Sequence, residues 1–212
     1  MKKLIVLSCL IVAAFVAGPI VSAQAISEKK LEKDAKKQAK VFAKEGWMTP
    51  PGKPSIQMQQ LRSLQIQNSF DENFNPKFVE GSAQAVGPNY DSAKFQATEL
   101  AKIDIAGKIT SELSGIVETN IGNAQLDPGQ AAAIAKTVGN YKSFVAAKLL
   151  NIISVVDMYK VDSSTKNTTV QIVIFYNKEE AVKAGISAVR EEMMKESQEL
   201  GKELDKLLGL KK

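Results

Sequence analysis

Between Lys77 and Gly122 the chain sets a short strand, a Gly-Pro-Asn turn and a long helix whose small residues are spaced to meet that strand. This stretch constrains the fold more than any other. Along residues 78–86, Val79, Gly81, Ala83 and Ala85 alternate with Phe78, Ser82, Gln84 and Val86, so one face of the strand is almost bare of side chains. After Gly87-Pro88-Asn89, where Pro sets one φ and Gly or Asn can take an unusual one, Ala93, Ala97, Leu100 and Ala101 recur at helical spacing. A bare strand face against a bare helix face lets two backbones approach closely. Gly81 to Gly87 could also be read as a phosphate-cradling loop, but the spacing fits neither the dinucleotide fingerprint nor the P-loop, and no Lys-Ser/Thr pair follows. The expectation is packing.

The pattern Gly81-x-Ala83-x-Ala85, then Ala93-x3-Ala97-x3-Ala101-Lys102-x-Asp104-x-Ala106-x2-Ile109, resembles the LPP-twenty lipoprotein family and the related N-terminal domain of the flagellar assembly protein T, over about residues 77–177. The resemblance implies a bacterial envelope protein with a small α+β domain and a role in assembly or at the surface. The chain departs from that pattern at Ala83, where a second Gly is usual, and at Lys102, where Arg is usual. It also lacks a suitably placed lipid-attachment Cys, so the resemblance carries the fold rather than the lipid anchor.

The first residues read as a secretory signal peptide: Lys2 and Lys3, an apolar run from Leu4 to Val16, Gly18-Pro19, and a cleavage site at Ala23-x-Ala25. The run is shorter than the roughly 20 residues a spanning helix needs. Cys9, the one cysteine, follows Lys3 too closely for a lipobox, since most of the apolar core lies beyond it. Cleavage near Ala25 leaves no Cys, and the whole chain has no His. Ser-His-Asp and Cys-His catalysis, disulfides and His- or Cys-based metal sites are thereby excluded. Loss of Lys2 and Lys3 takes the formal charge from +5 to +3, too little to suggest a nucleic-acid partner.

Residues 27–46, with seven Lys against four acidic residues and a stripe of Leu31, Ala35, Ala39 and Phe42, predict an amphipathic helix docked on the body rather than on a membrane. Trp47 to Pro54 is a loop, and its lone Trp suits either a ligand platform or a plug at the edge of a core. Residues 55–70 read both ways, since Ile56-x-Met58 and Leu64-x-Ile66 alternate like strands while Leu61 and Leu64 suit one helix face; abundant Gln and Pro54 just before favour the helix. The long helix, about Asp91 to Gly122, should bend or project, and its stripe shifts from Ala93/Ala97/Leu100 to Ile105/Ile109/Ile116 with Leu113 and Val117, so its second half should meet other neighbours. Asp127-Pro128 opens a helix with Ile134, Val138, Tyr141 and Val145 on one face.

Residues 149–161 and 168–176 read as a hairpin, with Leu149, Asn151, Ile153, Val155, Asp157 and Tyr159 on one side and Leu150, Ile152, Val156 and Met158 on the other. The last helix carries Val182, Ile186, Val189, Met193, Leu200, Leu204 and Leu207 in a near-heptad stripe broken at Glu196/Ser197.

The expected fold class is α+β: a small antiparallel sheet, from the strand near 78–86 and the hairpin 149–161/168–176, packed with long helices and with amphipathic helices at both ends. The expected units are a signal peptide (1–25), an amphipathic helix and Pro-rich loop (26–54), an α+β domain (55–178) and a C-terminal amphipathic helix (179–212). No residue is assigned a catalytic, cofactor-binding or metal-binding role. The best carboxylate pair for acid–base work is Asp157 with Asp104, and those positions equally suit a sheet edge and the polar side of a helix. The function expected is that of an exported envelope protein, periplasmic or surface-associated, serving as a non-enzymatic interaction or assembly module. The alternatives are a carrier of a small ligand between helix and sheet, then a carboxylate hydrolase or lyase. Expected partners are another envelope protein or a second copy paired through the C-terminal helix, with membrane contact only through the signal peptide before cleavage.

Overall fold

A computed structural model of the protein describes residues 27–123, 129 and 142–208. The signal peptide with Cys9, and Ile134, Val138 and Tyr141 of the helix expected after Asp127, lie outside the described residues. The α+β class is observed. Three strands, β1 (Phe78–Gly87), β2 (Ile153–Val161) and β3 (Thr168–Asn177), form an antiparallel sheet in the order β1-β3-β2. The elements around it are α1 (Glu28–Lys44), α2 (Ile56–Gln67), α3 (Tyr90–Asn123), α4 (Lys142–Lys148), α5 (Lys178–Glu196) and α6 (Gln198–Leu207).

The bare faces meet as their residues dictate. α3 lies on the β1–β3 face with Ala93, Ala97 and Ala101 fully buried, next to Val79, Ala83 and Ala85 of β1 and Val170, Ile172 and Ile174 of β3. Leu100, expected in the same stripe, sits on the flank of α3 over the β1 edge and is half exposed, because Ala at 93, 97 and 101 already fills the face that touches the sheet. Ile116 is likewise exposed while Leu113 and Val117 are buried.

At 34 residues α3 is about 51 Å long, against about 33 Å for a ten-residue strand, so its C-terminal part runs past the sheet. There Ile109, Leu113 and Val117 meet Val145 and Leu149 from the α4 region, Val189 and Met193 of α5, and Leu204 of α6. The second half of the helix therefore has its own neighbours, as its shifted stripe predicts.

Two expectations are corrected here. The strand expected from Leu149 begins at Ile153: Leu149 N–H turns back to the Ala146 carbonyl, Leu149 is buried in the helical core and Leu150 is 80% exposed. An apolar run of this length has no period to separate a helix end from a strand. The C-terminal stretch is two helices rather than one. Ser197 leaves α5 in extended backbone and caps α6 by accepting the Leu200 N–H, and α6 folds back so that Arg190 of α5 grips Asp205 at 2.6 and 2.9 Å. Leu204 is buried, and Leu200, Leu207 and Leu208 pack on the same core, so the stripe finds its cover within the chain.

The other sheet face is covered by α1 and α2. Leu31 and Ala35 of α1 are buried, and α1 packs chiefly on α2. Trp47, 4% exposed, joins Phe42, Val155, Val156, Met158, Val173 and Phe175 in a second small core, its ring edge-on to Phe42 at 6.4 Å. It plugs that core, with Lys160 Nζ 4.7 Å from the ring centroid on its remaining face.

Candidate functional site

The hairpin strand β2 is irregular between Ser154 and Val156, where one extra residue bulges from the ladder with β3. The bulge turns Ile153, Val156 and Met158 toward α1 and α2, while Asp157 and Tyr159 face α3. A strict alternation, which groups Ile153 with Asp157, is thus broken at one residue, and the break brings a carboxylate onto the helix side.

There Asp157 is buried and fully partnered. Tyr90 Oη donates to its two carboxylate oxygens at 2.7 and 2.8 Å, and Lys94 Nζ, one turn along α3, lies 2.7 Å from Oδ2 and 3.1 Å from the Tyr90 hydroxyl. Tyr90 packs edge-on against Tyr159 with centroids 5.5 Å apart. Burial, reinforced by the hydrogen bond to Asp157, pushes the Tyr90 phenol from 10.0 up to about 12. Burial alone would lower the Lys94 ammonium, but its hydrogen bonds to Asp157 and Tyr90 outweigh that and the net direction is up. A phenol shifted upward is a poorer base and nucleophile near neutrality, so this cluster holds its protons where they are.

Asp104 stands apart from it. Ten residues beyond Lys94, about 15 Å along the helix, its carboxylate accepts the Ser82 N–H at 3.1 Å and pairs with Lys108 at 3.0 Å. The two carboxylates are therefore tied to different neighbours on opposite sides of β3, and neither faces the other across a cleft as paired acid–base groups must. Tyr90, Lys94 and Gln59 are the polar residues that sequence reasoning missed. For the first two, the available signal is a Tyr-x3-Lys spacing on the sheet side of a helix opposite a β-strand Asp.

Beside a charged groove of about 800 Å³ lined by Asp71, Lys77, Glu112, Lys178 and Lys183 and a cleft of about 510 Å³ lined by Pro54, Gln59, Arg62 and Asp157, two surface features bear on docking or ligand binding. A cleft of about 570 Å³ opens between α1, α2 and the β1–β3 half of the sheet, lined by Lys37, Phe42, Gln60, Ser63, Gln67, Glu80, Gln171 and Val173 among others. It is rich in amide and hydroxyl groups, because α2 turns Gln60, Ser63 and Gln67 toward it. The second feature is apolar: on α3, Phe95, facing away from the sheet, is 69% exposed, and Leu100 at 47% and Ile103 at 46% stand further round the helix toward the β1 edge, all within about 12 Å of helix. Between α3 and the sheet small side chains bring the backbones together, leaving no room for a Cβ on Gly81 beside the Ala101 carbonyl.

Among the described residues no helix is long and apolar enough to cross a membrane, and no cluster of three or more Asp, Glu, His or Cys is placed to hold a metal ion. Comparison with protein-family models, curated proteins and solved structures finds no match for this chain.

Proposed function

We propose that the chain is an exported envelope protein that acts without catalysis, as a docking module for another protein. The observation that carries this reading is that Phe95, Leu100 and Ile103 stand exposed along α3, from its outer face round to its β1-edge flank, while its sheet side is closed. A carrier needs a concave apolar pocket, and a docking module needs an accessible apolar patch. The helix–sheet layer where a carried ligand was expected is filled by Ala93, Ala97 and Ala101. The leader-like first 25 residues support export, and the resemblance to envelope assembly domains supports the class of role.

A second reading, a carrier of a small polar ligand, is favoured by the amide-lined cleft between α1, α2 and the sheet. The two separate by experiment. A photoreactive side chain in place of Phe95, in the cells that make the protein, should give discrete adducts in the envelope fraction, and the same group at exposed Lys202 should not. Equal labelling at both positions, or recovery of the protein from the cytoplasm, would overturn the docking reading.

A further inference from the structure

The two edges of the sheet are treated differently. On the β2 edge Met48 exchanges both backbone hydrogen bonds with Tyr159 at 2.8 Å, and Gln59 Oε1 accepts the Asp157 N–H at 2.7 Å. On the β1 edge a single ion pair does the covering: Asp104 accepts the Ser82 N–H, and Lys108 donates to the Glu80 carbonyl at 2.7 Å. Two residues further on the strand, the outward N–H and C=O of Gln84 and Val86 have no hydrogen-bond partner among the described residues.

In an antiparallel pair, opposed residues that both point outward exchange two hydrogen bonds. A two-fold axis through Ala85 sets Gln84 opposite Val86 of a second copy and Val86 opposite its Gln84, which satisfies the N–H and C=O of both residues on each strand. The next pair outward would be Ser82 with Pro88, where Asp104 holds the one N–H and the other is missing, so the ladder ends there. An axis through Gln84 would instead require Ser82 to release Asp104. The open stretch is thus complementary to itself in one register.

The helices agree with that register. Leu100 lies one turn before Asp104, on the side of α3 that reaches over the β1 edge, with Gln96 one turn earlier and Ile103 beside it. Because α3 rests on both β1 and β3, two copies joined at β1 would set their α3 axes about 10 Å apart, one strand spacing plus half a spacing on each side, within the range at which helices pack. No charge would oppose its own copy, since Gln84, Ala85, Val86, Gln96 and Leu100 are uncharged and Asp104 and Lys108 neutralise each other.

Resting on the reading that this face of α3 is a docking surface, we propose that its first occupant is a second copy of the chain, paired through β1 into a continuous six-stranded sheet, with Phe95 left outside the contact. Sedimentation of the full chain should give twice the monomer mass. Leu100→Glu and, separately, Gln84→Pro should each weaken the dimer about tenfold or more, which is about 1.4 kcal/mol, with circular dichroism and melting of the monomer kept. In a Cys9→Ser background, Gln84→Cys mixed with Val86→Cys should yield a disulfide-linked pair far more readily than either alone. A monomer at about 100 μM, or no preference for the mixture, overturns the pairing. A monomer whose Phe95 probe still captures another protein overturns the pairing alone. A dimer with no other protein captured sustains the pairing and removes the second partner.

Discussion

Gly81→Ala is the sharpest test of the helix–sheet contact. A Cβ built on Gly81 falls 2.2 Å from the Ala101 carbonyl oxygen and 2.7 Å from Ile105 Cγ1. An ordinary carbon–oxygen contact is about 3.3 Å or more, so α3 and β1 must part by roughly 1 Å. The obstacle is backbone, and no rotamer change removes it. Parting opens a gap along the row of Ala97, Ala101 and Ile105, all fully buried, and a gap of that size forfeits a quarter to a half of each dispersion contact. The expected loss is about 3 kcal/mol, at the upper end of overpacking costs. Gly115→Ala is the matched control: it lies in the same helix, is exposed, and its new Cβ would meet nothing within 4 Å, so helix propensity alone should stabilise by up to about 1 kcal/mol. Urea denaturation followed by circular dichroism should shift the two midpoints in opposite directions with the slope unchanged. Adding Ile105→Val to Gly81→Ala should not restore stability, because the 2.2 Å contact to the carbonyl remains. If Gly81→Ala lies within about 0.5 kcal/mol of the parent chain, the close approach of the two backbones is refuted.

Tyr90→Phe should cost about 1.5–3 kcal/mol by removing a hydrogen bond to the buried Asp157 carboxylate. The folded Tyr90 phenol titrates above its unfolded value, so its contribution is fully present below about pH 10 and is lost as pH rises toward about 12. Melting temperature should therefore fall more steeply across that window in the parent chain than in the variant, and equal slopes would count against the cluster. Truncation after Lys195 removes Leu200 and Leu204 and uncovers Leu113, Val117 and Val189. It should cost about 3–5 kcal/mol, near 10 °C of melting temperature, and leave the sedimenting mass class unchanged, whereas a lost oligomer would revive the C-terminal stripe as the pairing surface.

The elements that a residue-by-residue period could reveal are present: α1, β1, α3 and the hairpin from Ile153 stand where alternation or helical spacing places them, while α2 was legible only from its Gln content and the Pro before it. The contact between β1 and α3 was legible because Gly81, Ala85, Ala93, Ala97 and Ala101 leave no room for any other arrangement. What stayed hidden depends on single residues that break a period. The bulge between Ser154 and Val156 moves Ile153 to the face opposite Asp157, and no propensity marks it. Ser197 splits a stripe that reads as one helix, and its two halves close on each other only because α3 overhangs the sheet and offers Leu113 and Val117 as a surface. The Tyr90–Lys94–Asp157 cluster joins residues 63 and 67 positions apart, and its members look like ordinary surface polar residues until the strand register is known.

A three-stranded sheet has two exposed edges and no spare strand to close them, and the way each is closed explains an otherwise odd helix. α2 buries Gln59, Gln60 and Ser63 while Met58 stays exposed, the reverse of what hydrophobicity favours. Gln59 accounts for part of this: its amide oxygen takes the outward Asp157 N–H and its amide nitrogen donates to the Pro54 carbonyl, so one side chain stands in for a residue of a fourth strand. Met48 supplies the next such residue at Tyr159. The β2 edge is thus sealed by α2 and the loop before it, which binds the N-terminal helices to the sheet by polar bonds that only one register satisfies. Asp104 and Lys108 perform the same service in the first half of β1, and they stop at Ser82, five residues short of its end. An edge capped at Glu80 and Ser82 but open at Gln84 and Val86, flanked by exposed Leu100, carries the cost of an aggregation-prone strand chiefly over the length that one specific partner strand can use.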